Sequence, residues 1–235
     1  MLDDLNIEDV LFLDIETVPA SPDFDSLPEK MKKLWTKKAE YLIRGGEKTV
    51  ADVYNRSGIF AEFGKIVCIS CGFMRGNIFR VKSFYGDHEE DVLNGFASLL
   101  TRSYSQDKNR LCAHNGKEFD FPYIARRMLV NGIKLPTILD MAGKRPWEVQ
   151  HLDTMELWKF GDYKHYTSLE LLTAIFDIPT PKDDIDGSQV ADVYWKEKDL
   201  ERIAVYCEKD VLATAQLLRR YMGLPLIKEE FVVRV

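Results

Sequence analysis

The sequence predicts an α/β domain in which helices flank a mixed central sheet of five or more strands. Three observations predict it: strand-like runs with a hairpin come first, strands then alternate with helices, and the last third is mostly helical. With 235 residues, 46% of them hydrophobic, the chain is long enough to bury a substantial core. Neither a repeat nor a linker divides the sequence, so we predict one domain over residues 1–235 with an insertion at about 20–62.

The first strand is predicted over residues 10–15, an apolar run that Pro19 ends. The insertion then interrupts the pattern of strands. It contains a charged helix over about 28–44, followed by Gly45, Gly46 and a polar stretch.

A hairpin follows the insertion, because the β-rich runs 65–74 and 77–85 are separated only by Arg75 and Gly76. The remaining predicted elements are, in chain order, a helix over 88–102, a strand over 110–113, a helix over about 121–131 that ends at Asn131 and Gly132, a strand over 149–152 and a mostly helical remainder that ends in a long helix over about 198–222.

The charge balance of the chain is 32 Lys and Arg against 38 Asp and Glu, a net charge of −6. This balance argues against a protein that coats nucleic acid, since such proteins present a basic face. It is compatible with an enzyme whose acidic residues bind metal ions.

Because no apolar run approaches the ~18 residues of a membrane span and the first residues lack a signal-peptide pattern, we expect a cytoplasmic protein with no membrane partner.

The four cysteines are predicted to be core residues in a reducing compartment. Cys68 and Cys71 form a CxxC pattern, but they lie inside a predicted strand, where residues three apart face opposite sides. Neither Cys112 nor Cys207 completes a zinc site with them.

Asp14 and Glu16 form the first acidic motif, DIET, at the end of the first predicted strand. Residues two apart on a strand point to the same side, so the two carboxylates are presented together. A carboxylate pair beside a buried strand is costly unless a cation compensates it. The alternative is an ordinary acidic turn after a strand.

The second motif runs from Asn115 to Asp120, after one strand and at the start of a helix. Asp120 precedes Phe121 and Pro122, a context in which aspartate commonly caps a helix. Capping and metal binding are compatible roles for this carboxylate. Asn115 is expected to hold the loop or a neighbouring carboxylate.

Tyr206 and Asp210 form the third motif on the last long helix. They are four residues apart and share one face with Ile203, Ala213 and Leu217, the inward stripe of an amphipathic helix. An aspartate on such a stripe needs a partner, which is either a hydrogen-bonding group or a metal ion.

Taken in order, a strand-borne DxE, an Nx3FD at a helix start and a Yx3D on a late helix resemble the DEDD superfamily of 3′–5′ exonucleases, which have a ribonuclease H-like fold. The tyrosine places the likeness in the DEDDy branch, because Val205 stands where the other branch has histidine. The pattern is most similar to the proofreading domain of family B DNA polymerases and to stand-alone bacterial exonucleases related to it. The latter likeness includes the segments 186–190 and 203–207.

The resemblance implies two metal ions per site, held by four acids. It implies that Asp14 bridges both ions, that Glu16 and Asp210 serve the ion on the nucleophile side and that Asp120 serves the other. Tyr206 is implied to orient the attacking water together with Glu16. Carboxylate oxygens suit Mg²⁺ or Mn²⁺ rather than Zn²⁺. Asn115 and Phe119 are the residues expected next to these ligands.

The partners implied by the resemblance are nucleic acid 3′ ends, with DNA favoured over RNA. Thr17, Trp158, Lys164 and His165 are the candidate substrate contacts, since aromatic and basic residues together suit a single-stranded end. Residues 28–48 hold seven basic residues against three acidic ones, which is compatible with a phosphate-binding surface or with a solvated helix face.

Three rival interpretations remain open. An RNA-directed exonuclease of the RNase D type would carry the same acids and tyrosine. A nucleic-acid-binding domain without catalysis is favoured if the chain binds no metal, and a nucleotidase is the third alternative.

Overall fold

A mixed sheet of six strands forms the centre of the protein in the computed structural model, which describes residues 2–43, 48–162, 166–179 and 184–235. The strands within those ranges are β1 (Val10–Pro19), β2 (Gly64–Arg75), β3 (Ile78–Tyr85), β4 (Arg110–Ala113), β5 (Leu152–Asp153) and β6 (Val232–Arg234). They lie in the order β5-β4-β1-β2-β3-β6. The β1–β2 and β2–β3 pairs are antiparallel, whereas β1–β4, β4–β5 and β3–β6 are parallel. The predicted mixed α/β sheet is therefore confirmed.

The described α-helices are α1 (Glu29–Ala39), α2 (Glu89–Ser103), α3 (Asp120–Val130), α4 (Thr154–Lys159), α5 (Leu169–Ile175), α6 (Val190–Asp192) and α7 (Leu200–Tyr221). A π-helical segment, Val193–Glu197, continues α6, and 3-10 turns lie at Ile7–Asp9, Tyr54–Ile59, Thr137–Leu139, Pro146–Glu148 and Glu229–Phe231. None of the described helices is both long and apolar enough to cross a membrane.

Strand β1 lies inside the sheet, and the apolar side chains of its first four residues are fully buried. It is longer than the predicted 10–15 because it continues to pair with β2 as far as Pro19, after a register shift between Glu16 and Thr17. Proline is tolerated there because it is the last residue of the strand. The prediction that Asp14 and Glu16 lie at the end of the strand is therefore wrong, since both lie near its middle, with Glu16 followed by three more strand residues.

The two faces of the sheet are covered by different helices. Leu11 and Leu13 pack with residues of α2 and α3 on one face, whereas Phe12 packs with residues of α7 on the other. This alternation follows from the two-residue period of a strand. Cys71 and Cys68 likewise belong to the cores on opposite faces. All four cysteines are buried and free of disulfides, as predicted.

The insertion over residues 20–62 builds a small core of its own around the fully buried Trp35. The indole of Trp35 packs edge-on against Tyr54 and Phe63, and its Nε1 donates to the Val50 carbonyl at 3.2 Å. The predicted helix over 28–44 is α1, which ends at Ala39. Gly45 and Gly46 lie outside the described residues.

One further prediction is corrected at one end of the sheet, and a point that the sequence leaves open is answered at the other. The predicted strand over 149–152 is wrong in its bounds: β5 begins at Leu152, because a 3-10 turn at Pro146–Glu148 precedes it and only Leu152 and Asp153 pair with β4. The C-terminal residues, whose structure the sequence leaves open, include β6, which pairs with β3.

A buried ion pair joins the helices to the sheet next to the insertion. The Glu89 carboxylate, only 8% exposed, accepts hydrogen bonds from the Arg127 guanidinium at 2.8 Å and from the Ile66 backbone N–H at 2.7 Å. Arg127 also donates to the Ala61 carbonyl at 2.8 Å. These contacts tie α2, α3 and β2 to the last residues of the insertion.

Glu89→Leu is expected to lower the free energy of unfolding by about 3–5 kcal/mol, because it leaves the buried Arg127 guanidinium without its counter-charge. Urea denaturation followed by circular dichroism measures the change. Glu90→Leu, on the exposed side of the same helix, is the control and is expected to change stability by less than about 0.5 kcal/mol. Equal effects of the two substitutions would contradict a stabilising role for this ion pair.

Candidate active site

Four carboxylates from three elements meet on the α7 side of the sheet. Asp14 and Glu16 come from β1, Asp120 is the first residue of α3, and Asp210 comes from the middle of α7. The pKa of Asp14 is raised by the charges of the other three, which places them close together. The structure thus brings together the four acids that the sequence motifs single out.

Asp14 and Glu16 point to the same side of β1, as the strand period requires. Their carboxylate oxygens and the Sγ of Cys207 all lie within 4.8 Å of one another. The Cys207 thiol donates to Asp14 Oδ2 at 3.4 Å. From the sequence, Cys207 is predicted only as a core residue. It directly follows Tyr206 of the third motif, and this position could have indicated that it lies close to the acids.

The loop before α3 is held by Asp153, the last residue of β5. The carboxylate of Asp153 accepts hydrogen bonds from the backbone N–H groups of Asn115 at 3.0 Å and Lys117 at 3.1 Å. It also accepts from Met155 N–H at 3.0 Å and so caps α4. Asp153 therefore fixes the loop that leads to Asp120.

The same loop requires unusual backbone geometry. Asn115 has a φ of 64°, a left-handed conformation that asparagine tolerates better than most residues. Gly116 follows, and a Cβ at that position would lie 2.4 Å from Ala113 Cβ. This close approach of the loop to β4 explains the Asn-Gly pair of the second motif.

Asp120 does not cap α3, so that interpretation of the sequence is wrong. The N-cap position is Phe119, and no side chain caps the helix. Asp120 is instead the first helical residue and is only 3% exposed. Its carboxylate faces the other acids, as its effect on the pKa of Asp14 indicates.

Helix α7 presents Tyr206 and Asp210 on its buried face, as predicted. Tyr206 is 7% exposed, and Ile203, Ala213 and Leu217 on the same stripe are all buried. The Tyr206 hydroxyl forms a side-chain hydrogen bond with Asp210. The tyrosine and the aspartate therefore reach the acidic cluster as one unit.

Burial raises the pKa of both Asp14 and Glu16 well above the ordinary range for carboxyl groups. The next largest cause is the charge of Asp120 for Asp14 and the charge of Asp210 for Glu16. Burial also raises the pKa of Asp120 to about 7, although backbone N–H groups, including that of Ile15, lower it in part. Without a cation, the site therefore holds protons near neutral pH.

The residues present fit a divalent cation. Asp120 Oδ1 and Asn115 Oδ1 are buried acceptor atoms without a hydrogen-bond partner in the described part of the chain. Buried acceptors normally have a donor or a cation as partner. The side-chain groups that shift the pKa of Asp14 are three carboxylates and a thiol, so no ammonium or guanidinium group among the described residues offsets the negative charge at Asp14. Clustered oxygen ligands are the environment that Mg²⁺ and Mn²⁺ prefer.

A cleft of about 380 Å³ opens beside Glu16. Thr17 and Phe119, two residues predicted near the site, line it together with Asn55, Arg56 and Ile59 of the insertion. The last three are functional candidates that sequence analysis missed, since nothing in the insertion indicates that its 3-10 turn packs beside the acids.

The other predicted substrate contacts differ in their surroundings. Trp158 packs against Phe176 and stacks on Tyr221, at 5.7 and 6.4 Å between ring centroids, in a cluster beside α7. Lys164 and His165 lie outside the described residues. No contact of these three residues with a substrate is tested, so their role stays a prediction.

The fold is similar to part of a solved family B DNA polymerase from the hyperthermophilic archaeon Pyrobaculum calidifontis. The TM-score is 0.54 at 17% sequence identity, and the match covers 91% of this chain and 24% of that one. At this identity the likeness establishes the fold alone, which is the predicted ribonuclease H-like fold.

Two curated relatives are DNA polymerases. The DNA polymerase of Pyrococcus glycovorans is 25% identical over 146 residues, and that of Desulfurococcus sp. (strain Tok) is 23% identical over 146 residues. Each match covers 57% of this chain and 18% of the relative. The chain therefore spans less than a fifth of the length of these relatives.

Fold and relatives define the class of this protein as the DEDD superfamily of 3′–5′ exonucleases. Residues 59–229, well over half of the chain, match a family model described as a predicted 3′-5′ exonuclease related to the exonuclease domain of PolB. The chain belongs to this family. The resemblance inferred from the motifs is confirmed.

Asp120→Asn is expected to reduce the pH dependence of stability in EDTA, because it removes one of the carboxyl groups with a raised pKa. The folded-state pKa of about 7 exceeds the unfolded value of about 4, so the folded protein binds more protons between these values and its stability falls as pH rises through that window. The substitution removes this loss and is expected to raise the melting temperature at pH 8 by about 4 °C or more.

Thermal denaturation in EDTA and in Mn²⁺ measures both effects, because the wild type should gain stability from Mn²⁺ and Asp120→Asn should gain far less. Asp107→Asn, at an exposed position, serves as the control. A metal-free wild type that becomes more stable from pH 5 to pH 8 would contradict this account.

Proposed function

We propose that this chain is a metal-dependent 3′–5′ exonuclease that removes nucleoside 5′-monophosphates from the 3′ ends of single-stranded DNA. The observation that carries the proposal is the meeting of four carboxylates from β1, α3 and α7, with a buried Asp120 oxygen that has no hydrogen-bond partner among the described residues. Family membership supplies the direction of cleavage. The chain would act as a single domain over residues 1–235, with residues 20–62 as an insertion.

Asp14, Glu16, Asp120 and Asp210 would hold two ions, either Mg²⁺ or Mn²⁺. When bound, the ions supply activation of a water molecule and stabilisation of the leaving oxygen. Asp14 would contribute a carboxylate at the centre of the group, because the charges of all three other acids raise its pKa. Glu16 and Asp210 would serve the same ion, the one on the side of the attacking water. Among the neighbouring groups, Asp210 raises the pKa of Glu16 the most.

Tyr206 would orient the attacking water together with Glu16. Burial and the charge of Asp210 raise the pKa of Tyr206 far above its ordinary value, so the phenol stays protonated. A protonated phenol positions a water molecule by hydrogen bonding and does not act as a general base. The hydrogen bond between Tyr206 and Asp210 would hold the hydroxyl in place.

Asn115 and Phe119 would support the acids from the loop before α3. The buried Asn115 Oδ1 is an acceptor without a partner among the described residues, which suits a water molecule of a metal ion's hydration shell. Phe119 packs against Tyr123 at 5.4 Å between ring centroids and lines the cleft beside Glu16. Its ring would contact the terminal nucleotide.

DNA is the favoured substrate because the relatives are named DNA polymerases. Thr17, Trp158, Lys164 and His165 would be the contacts to the strand. The RNA-directed alternative predicts the same dependence on metal and acids, so only a comparison of substrates separates the two.

Asp14→Ala and Asp210→Ala are each expected to lower Mg²⁺- or Mn²⁺-dependent hydrolysis by at least about 10³-fold, since each removes a metal ligand. The measurement uses matched DNA and RNA oligonucleotides, single- and double-stranded, labelled at the 5′ or the 3′ end. Stepwise shortening of 5′-labelled DNA identifies the 3′–5′ direction. Asp107→Ala is the control, and full activity of Asp14→Ala would refute the proposed mechanism.

Tyr206→Phe is expected to lower kcat by about 10²-fold with little change in KM, because it removes a hydrogen bond to the reacting water. The pH dependence of the remaining activity should keep its shape, since the phenol does not titrate in the range of the assay. Tyr85→Phe is the matched control, because the Tyr85 hydroxyl contacts Glu201 on the surface. A pH profile that shifts in Tyr206→Phe would indicate that the tyrosine acts as a base.

A further inference from the structure

The cleft beside Glu16 has a chemical character that the acids alone do not explain. Its charged lining residues are Glu16, on the side of the acids, and Arg56, on the side of the insertion. Ile59 and Phe119 supply apolar surface between them, and Ile59 is 49% exposed. A site with a metal-binding acid, an apolar wall and an arginine matches the parts of a nucleotide.

The turn that carries Arg56 and Ile59 is fixed to the sheet. Gly58 lies so close to β1 that a Cβ there would be 3.0 Å from the Val18 carbonyl carbon. The Tyr123 hydroxyl of α3 donates to the Gly58 carbonyl at 2.7 Å. The backbone of the turn is therefore held by both elements that carry Glu16 and Asp120, which fixes the points from which Arg56 and Ile59 extend.

Arg56 is available for a ligand. Its side chain is exposed and forms neither an ion pair nor a hydrogen bond with the other described residues. It lies in a protein whose net charge is −6, at the edge of an acidic site. A cation at such a place offsets the repulsion that an anionic substrate meets. Arg56 also lies outside the part of the chain that matches the family model, residues 59–229, so the match does not include this arginine.

We propose that the insertion supplies the binding wall for the last nucleotides of the substrate strand: Arg56 binds a non-scissile phosphate near the 3′ end, and Ile59 packs with Phe119 against a base. The inference rests on the proposed function and assigns to the insertion a part in substrate binding. The arginine fork suits phosphate, whose oxygens it binds in pairs. The cleft volume of about 380 Å³ lies at the small end of the range for ligand sites.

Arg56→Gln is expected to raise KM for single-stranded oligonucleotides about tenfold or more, with kcat changed by less than about twofold, because it removes a charge-assisted contact to a phosphate that is not cleaved. Arg56→Lys should recover part of the loss. Arg102→Gln, an exposed arginine at the end of α2, is the matched control and should leave KM unchanged. Circular dichroism verifies that all three variants are folded.

A second measurement locates the phosphate. Single methylphosphonates, which carry no charge, replace the three linkages 5′ of the scissile one in turn, and binding is measured in an Asp210→Asn background that leaves the strand intact. At one of the three positions, the methylphosphonate should weaken binding to the protein that retains Arg56 about tenfold or more. The same replacement should have almost no effect on binding to the protein that also carries Arg56→Gln.

The outcomes separate the two proposals. If the wild type degrades 3′ ends but Arg56→Gln behaves like Arg102→Gln, or if the methylphosphonate effects are the same with and without Arg56, the role of Arg56 is refuted and the proposed function stands. If the wild type releases no nucleoside monophosphate with Mg²⁺ or Mn²⁺, both proposals fail together.

Discussion

The mutual repulsion of four partly or fully buried carboxylates is the constraint around which this structure is arranged. Charges brought together out of water raise each other's pKa and oppose folding, so the elements that carry them must be held by stronger packing elsewhere. Strand β1 is anchored by four fully buried apolar residues before Asp14, and α7 by a buried apolar stripe on either side of Asp210. Asp153 fixes the third approach, the loop to Asp120, through backbone hydrogen bonds.

The insertion gives the site its second wall and is stabilised separately from the main sheet. Its own core surrounds Trp35, and it reaches the rest of the molecule through a few specific contacts, among them the hydrogen bond from Tyr123 to Gly58 and that from Arg127 to Ala61. Neither contact involves a carboxylate of the cluster. If Arg56 binds the substrate as proposed, the insertion contributes to holding the nucleic-acid strand, whereas the acids of β1, α3 and α7 carry the chemistry.

The parts of the site that can be predicted from the sequence are those that depend on the repeat of a single strand or helix. The two-residue period of a strand places Asp14 beside Glu16, and the helical period places Tyr206 beside Asp210, without any knowledge of the fold. The resemblance to a known superfamily adds Asp120. What could not be predicted depends on contacts between distant parts of the chain: the longer β1 follows from its pairing with β2, and the position of Arg56 follows from a turn that packs on β1.

The order of the strands has a consequence for the folding pathway. Strand β1 pairs with β2 across the whole insertion and with β4 from about a hundred positions further along, whereas β2 and β3 are joined by a tight turn. Long-range pairings of this kind form slowly, because the closure of a long loop precedes any gain from contact. Within the sheet, the β2–β3 hairpin is therefore the pairing with the smallest closure cost. None of the four acids belongs to this hairpin, since they lie on β1, α3 and α7, so the electrostatic strain of the site does not act on its local pairing.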